Sequence, residues 1–306
     1  MLNQPMRVFL DTDIGPDCDD TGALAILLQL CREQKAQLLG VTHCTGSYYG
    51  LAAVDCICRL FGVQVPMGTC PDHSFLSTGS ALRYTPSLAE HFEHGFPPDA
   101  PQPDAVDALV KALSPVPDGS VTLIAVGPLN NLARFLTEPV SAPLMRAKVC
   151  RLVLMAGYFE GDKDYLEWNI KMDPAAMCTV AREWKGPIDF CPSEALSDVL
   201  TGHCLKNCVE NPVSMAYRLF TEGGMLRPSW DLATVASAIL GPQEPFVWSA
   251  PGRLTVTEEG RTFHQVCEGG NCRYLRRVGS AEEGAAWIEP MLARAVDTMS
   301  SRLAER

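Results

Sequence analysis

The chain has 306 residues, 47% of them hydrophobic, which is enough to bury the core of one large α/β domain. Its net charge of −11 argues against nucleic acid and anionic membrane surfaces as partners and is neutral on small ligands. Met1 to Leu10 carries one Arg and no apolar stretch long enough for a signal peptide, and no run reaches membrane-spanning length, so a cytoplasmic protein is expected.

Val8-Phe9-Leu10 reads as a buried strand, and Gly22 to Leu28 as a buried helix. Between them Asp11-Thr12-Asp13-Ile14-Gly15-Pro16-Asp17-Cys18-Asp19-Asp20 holds five carboxylates in ten residues. The acids therefore occupy a strand-to-helix turn, the place where open α/β sheets bind ligands. Five ionised acids so close repel one another, so either some are protonated or a cation neutralises them. Oxygen donors without a Cys–His set suit a hard cation, Ca²⁺ or Mg²⁺, and Gly15-Pro16 lets the backbone turn acids on both sides toward one point. The plainer alternative is that Asp19 and Asp20 cap the helix and favour its dipole. An EF-hand loop beginning at Asp11 is excluded, because its sixth and twelfth positions are Pro16 and Gly22. Asp11-Thr12-Asp13 also imitates the opening of the haloacid-dehalogenase-like phosphatases, although Ile14-Gly15 departs from their continuation.

Residues 37 to 44 read as a second strand, 51 to 61 as a helix and Val65 to Gly68 as a short strand, the alternation of a parallel sheet. Residues 70 to 103 are rich in Ser, Pro, Gly and His and read as an insertion or flap over a site, with His73, His91 and His94 as surface residues. Ala105 to Leu113 is a helix, Ser120 to Val126 a strand, and Leu129 to Leu136 a helix led by Pro128. Leu152 to Met155 and Ile188 to Phe190 are strands, with a helix opened by Asp173-Pro174 between them. From Pro212 the chain turns mostly helical, Arg253 to His264 forms a hairpin, and Ala281 to Leu303 forms a helix with a break or kink at Pro290. No repeat or linker stands out, so residues 1–306 read as a single domain. Of the thirteen cysteines, Cys31, Cys44, Cys56, Cys58, Cys150, Cys178 and Cys191 lie in apolar runs and read as small core residues. Cys204 with Cys208 and Cys267 with Cys272 do not have zinc-motif spacing and read as unligated thiols.

The acidic turn resembles the signature of the inosine-uridine nucleoside hydrolase family, a strand followed by Asp-Thr-Asp-Pro-Gly-x-Asp-Asp and an Ala/Leu helix. Asp11-Thr12-Asp13, Gly15 and Asp19-Asp20 match it, with two extra residues before the Asp pair. Three further segments are similar to the family, in its order: Val126-Gly127-Pro128-Leu129-Asn130-Asn131-Leu132; Met155-Ala156-Gly157-Tyr158 with Glu167-Trp168-Asn169; and Ser229-Trp230-Asp231-Leu232. The resemblance implies an open, mostly parallel sheet with flanking helices and a small C-terminal hairpin, and a homodimer or homotetramer. It implies a Ca²⁺-dependent hydrolase that cleaves the N-glycosidic bond of a nucleoside or related N-riboside. Asp13, Asp20, Asp231 and the Val126 carbonyl would hold Ca²⁺, and Asp13 would take the proton of the attacking water. Asp19, Glu167 and Asn169 would grip the ribose; Trp230, where the chain departs from the family, can stack on a base or line a pocket. This fits the chemistry: an oxocarbenium-like state needs negative charge near the sugar and a positioned, activated water. Two departures stand out. Ser47 replaces an Asn that reaches the ribose, and Trp230 occupies the place of a His that protonates the leaving base; Trp stacks but cannot donate that proton. His43 and His264 are substitutes by position only. A Mg²⁺-dependent phosphatase using Asp11 and Asp13, and a non-catalytic nucleoside or sugar sensor, are the alternatives.

Overall fold

The computed structural model describes residues 4–162 and 164–305; Met1 to Asn3 of the N-terminal segment, Lys163 and Arg306 lie outside the described residues. Strand β1 (Met6–Thr12) is central, with α1 (Asp19–Arg32), β2 (Ala36–His43), α2 (Gly50–Leu60) and β3 (Met67–Thr69) following it. The chain then crosses to the other side of β1, where β4 (Val121–Ala125), β5 (Val149–Leu154) and β6 (Ile188–Phe190) are laid down in turn. The order is β6-β5-β4-β1-β2-β3, and every one of these pairings is parallel. Beyond β6 the strand Cys272–Arg277 continues parallel, and Gly252–Val256 pairs antiparallel with Thr262–Val266 as the expected hairpin.

The order reverses between β1 and β4, so connections leave their carboxyl ends in opposite directions and open a crevice there. Alternation along β1 decides what each face buries. Val8 and Leu10 pack into the cluster beneath α1 and the helix Trp230–Leu240, whereas Phe9 packs with Phe135 and Leu109 on the opposite face. Parallel strands covered on both faces read as near-continuous apolar runs, and β1, β4 and β5 do so. No helix of the described residues is long and apolar enough to cross a membrane.

Residues 70–103 form neither a bare loop nor a detached flap. They include a 3₁₀ turn, Gly79–Leu82, and a helix, Thr85–His91, anchored by the fully buried Tyr84. The helix Ala142–Lys148 and the strand Cys272–Arg277 have no counterpart in the sequence reading. Cys150 is exposed and Cys31 and Cys178 are half-buried, so of the presumed core thiols only Cys44, Cys56, Cys58 and Cys191 are interior. The break expected at Pro290 does not occur: the helix Ala281–Ala304 runs through it. Pro290 lies on the solvent side, where losing one backbone hydrogen bond costs less than in the interior. Pro290→Ala restores that hydrogen bond and is expected to raise unfolding stability by about 1–3 kcal/mol in denaturant titration.

Candidate functional site

The crevice at the carboxyl ends of β1 and β4 is a cavity of about 280 Å³, close to the lower end of ligand-site volumes. Its lining includes Asp13, Asp19, Asp20, Val126, Glu167, Asn169, Trp230 and Asp231, all eight residues expected from the sequence. They come from four separate stretches of the chain: Asp13 after β1 with Asp19 and Asp20 opening α1; Val126 after β4; Glu167 and Asn169 at the start of the short helix Trp168–Met172; and Trp230 with Asp231 in the first turn of Trp230–Leu240.

Neither Asp19 nor Asp20 caps its own helix; the N-cap residue is Cys18, which makes no side-chain cap. Asp20 instead turns back to β1, where Oδ1 accepts from the Thr12 hydroxyl and from the Asp13 backbone N–H at 3.2 Å. Asp19 Oδ2 accepts from the Asp231 backbone N–H at 3.0 Å, which ties the two helix N-termini together. Carboxylate oxygens of Asp19, Asp20 and Asp231 lie within 4.8 Å of one another, and Asp20 Oδ2 is buried without a partner. Burial, followed by the charges of the neighbouring acids, pushes the carboxyls of Asp13 and Asp231 far above the usual range. Burial likewise raises Asp19, with Asp17 and Asp20 adding to it, and raises Asp20 to about 7. An orphaned oxygen, a purely oxygen donor set and acids that cannot all ionise together fit a bound hard cation.

Gly127 shapes this corner. A Cβ there would lie 2.5 Å from Asp13 Oδ1 and 2.7 Å from Cys44 Sγ, so the residue after Val126 must be glycine for Asp13 to keep its place. The 70–103 segment closes the other side. Gly15, at φ 142°, lies against the Ala81 backbone, and the Tyr84 hydroxyl donates to the Asp17 carbonyl at 2.5 Å.

Across the cavity Glu167 is buried and caps the short helix Trp168–Met172. Its carboxylate accepts from the backbone N–H groups of Asn169 at 2.8 Å, Ile170 at 3.2 Å and Gly157 at 3.4 Å. Burial raises its carboxyl to about 7 despite those donors. It is not a surface loop acid. The Asn169 amide nitrogen donates to the Val126 and Met155 carbonyls at 3.0 and 2.9 Å, which locks the side chain and leaves Oδ1 as its free polar atom.

The remaining acids of the turn have other employment. Asp11 is fully buried within β1, whereas Asp13 lies just past the strand's end, and Asp11 does not line the cavity. Its Oδ1 accepts from Thr42 Oγ1 at 2.6 Å and Asn131 Nδ2 at 2.9 Å, and burial raises it to about 7. A phosphatase nucleophile must face its substrate, so the Asp11-x-Asp13 phosphatase alternative is geometrically excluded. Asp17 forms a forked ion pair with Arg227, Nε donating to its two oxygens at 2.8 and 3.1 Å and Nη2 to Oδ2. Ser47 is buried, with its Oγ accepting from the Tyr49 N–H, and does not line the cavity.

No histidine lines the cavity among the described residues. His43 is fully buried between the Ile14 carbonyl and Thr69 Oγ1, and burial depresses its pKa to about 4, so it stays neutral. His264 sits in the hairpin beside Phe159 and Tyr274, with the Cys272 carbonyl as its partner. The sequence reading missed Arg227, Tyr165, Ser193 and Ser80 as lining residues. Trp168 and Met155 lie inside quoted motifs, but Arg227 carries no local signal, since its partner is 210 positions away.

A mostly parallel sheet with a carboxylate-lined crevice at its switch point defines an α/β fold of the kind that binds ligands at the carboxyl ends of its strands. The chain belongs to the inosine-uridine preferring nucleoside hydrolase family, whose family model matches residues 8–278. A curated relative, an uncharacterized protein of Schizosaccharomyces pombe, is 29% identical over 185 residues; that match covers 56% of this chain and 56% of the relative's length. The chain is similar in fold to the inosine-uridine preferring nucleoside hydrolase of Bacillus anthracis (TM-score 0.69, 22% identity, 94% of this chain and 99% of that one). It is also similar to the type III effector XopQ, solved with adenosine diphosphate ribose (TM-score 0.72, 16% identity, 96% and 95%).

Two predictions follow from the geometry. Gly127→Ala is expected to lower stability by about 1–3 kcal/mol in denaturant titration and to weaken divalent-metal binding by calorimetry, because Asp13 must move. The second concerns pH. A carboxyl raised to about 7 on folding favours the protonated state, so its stabilising contribution is complete below the unfolded value of 3.8 and is lost as pH rises toward 7. His43, depressed on folding, works the other way and costs stability as pH falls from 6.5 toward 4. The raised acids outnumber it, so metal-free protein is expected to melt at lower temperature at pH 8 than at pH 5. Asp11→Asn should recover roughly 1–4 kcal/mol of that loss at pH 8.

Proposed function

We propose that the protein is a Ca²⁺-dependent N-ribohydrolase that cleaves the N-glycosidic bond of a ribonucleoside or related N-riboside. The observation that carries this reading is the pairing of the Asp19–Asp20–Asp231 cluster with the buried Glu167–Asn169 pair across one cavity. Asp13, Asp20, Asp231 and the Val126 carbonyl would hold Ca²⁺. When bound, that ion supplies positive charge that neutralises the acids and lowers the pKa of a water beside it. Asp13 takes the proton of the water that attacks C1′ of the sugar.

Asp19, Glu167 and Asn169 Oδ1 accept hydrogen bonds from ribose hydroxyls. These acceptors are fixed before substrate arrives, because Glu167 is held by three backbone N–H groups and Asn169 by two carbonyls. Their negative character also favours the oxocarbenium-like charge that develops as the C1′–N bond breaks. Trp230 lies at the mouth, with its indole N–H on the Ser193 carbonyl at 3.3 Å, and offers a face for a planar base. A ribosyl sensor without turnover is the second reading, favoured by the lack of a histidine among the described lining residues.

The test is reducing-sugar release from a panel of purine and pyrimidine ribosides, with ADP-ribose included. Release by the wild type, with at least a 10³-fold loss in kcat for Asp13→Ala and abolition by EDTA reversed by Ca²⁺, is the expected result. Calcium binding with ribose-dependent ligand affinity but no release from any compound would replace the hydrolase with the sensor.

A further inference from the structure

Cleavage of a C1′–N bond leaves the electron pair on the aglycone, and something must receive that charge. The described lining residues include no histidine, and Trp230 cannot serve as an acid. Arg227 is the one cationic side chain among them. It is held more firmly than a surface arginine. Nε and Nη2 are bound to Asp17, and the guanidinium lies 5.1 Å from the Phe220 ring and 5.2 Å from the Trp230 ring. A fork on one edge and aromatic rings beside it fix the plane of the group. Nη1 has no hydrogen-bond partner among the described residues. Asp17 belongs to the two-residue expansion that separates this acidic turn from the family spacing. The departure in the turn and the departure at Trp230 therefore meet in one contact: Asp17 positions the guanidinium that stacks beside the Trp.

We propose that Arg227, positioned by Asp17, is a catalytic residue that stabilises the departing aglycone through its Nη1 edge, and so selects aglycones that leave as anions. This rests on the hydrolase reading above. Arginine does not lose a proton in proteins, so it acts by hydrogen bond and charge rather than as an acid. The C1′–N bond breaks with its electron pair going to the aglycone nitrogen, and the C1′–O bond forms from water. Asp13 takes the water's proton, and the aglycone anion later takes a proton from solvent. The Asp17–Arg227 pair is neutral as a whole, so the site does not collect anions indiscriminately. It rewards an acceptor atom placed where Nη1 can reach as negative charge develops. Heterocycles that form stable anions are favoured over those that must be protonated before leaving.

The experiment uses the full chain with Ca²⁺ and a series of aryl ribosides of graded leaving-group pKa. Wild type, Arg227→Gln, Arg227→Lys, Asp17→Asn and Tyr165→Phe are compared, the last because Tyr165 also lines the cavity and carries a hydroxyl donor. In Arg227→Gln, kcat on the poorest leaving groups is expected to fall about 10²-fold. The loss on 4-nitrophenyl riboside should be under about tenfold and KM nearly constant, so the dependence of log kcat on leaving-group pKa steepens. Arg227→Lys recovers part of the slope, and Tyr165→Phe keeps the wild-type slope. If Arg227→Gln does not fold, Asp17→Asn, which keeps the charge but frees the guanidinium, should steepen the slope to an intermediate degree. Parallel lines for wild type and the Arg227 or Asp17 variants overturn the proposal and leave the hydrolase standing. Steepening in Tyr165→Phe alone assigns the role to Tyr165. A wild type inactive on every riboside with calcium bound removes both readings together.

Discussion

Mutual repulsion among acids that the fold forces together is the constraint on which the structure around the crevice depends. Asp13, Asp19, Asp20 and Asp231 are all nearly inaccessible to water, and each raises the cost of ionising its neighbours. The surroundings answer this with directed donors rather than with paired lysines. The Thr12 hydroxyl and the Asp13 N–H point at Asp20, and the Asp231 N–H points at Asp19. Two helices also begin here, with Asp19, Asp20 and Asp231 in their first turns, where the helix dipole favours negative charge by roughly 0.3–1 kcal/mol each. These donors do not saturate the site, since Asp20 Oδ2 is left bare. A cation completes what the protein's own donors begin.

Topology explains why acids so distant in sequence converge. β1 and β4 are neighbours that send their connections to opposite sides of the sheet, so the residues just past both strands face one opening. The same reversal brings the backbone of Val126 beside Asp13, with Gly127 providing the clearance. Glu167 and Asn169 arrive from the connection that follows β5, and Asn169 bonds the Val126 carbonyl directly. The two halves of the site are thus braced against each other through one amide.

Much of this was legible because parallel strands and their turns write short, dense signals. The helix Ala105–Leu113 and the strand Ile188–Phe190 have the bounds their apolar patterns suggest. The eight lining residues could be named because each sits at the end of an element within a recognisable string. The strand Cys272–Arg277 was hidden by its arginines, which a strand tolerates when Arg273 pairs with the buried Asp189 and lies over Trp248. Asp11 looked equivalent to Asp13, but Asp11 lies within β1 and Asp13 just past its end: one is bound by Thr42 and Asn131, the other opens on the cavity. Arg227 was illegible for a deeper reason. It lies in a two-residue strand with no periodicity, and its meaning is entirely in tertiary partners.

The two sides of the cavity are built to different tolerances. If the proposed ribose grip holds, every acceptor on that side is buried and locked by backbone groups, so a small change in the ring's hydroxyl pattern would strand a desolvated polar atom at a cost of about 1–3 kcal/mol. At the mouth, Tyr165 is 45% exposed and Trp168 40%, and Trp230 and Arg227 are half-buried. Aromatic faces accept many planar groups at little cost in geometry. Under the proposed assignment, discrimination against the wrong sugar is strict and discrimination among aglycones is electronic more than steric. A histidine acid would have tied turnover to its own titration near neutrality. A guanidinium fixed by Asp17 and aromatic rings keeps its charge throughout that range, which passes control of pH dependence to the carboxylates around the cation.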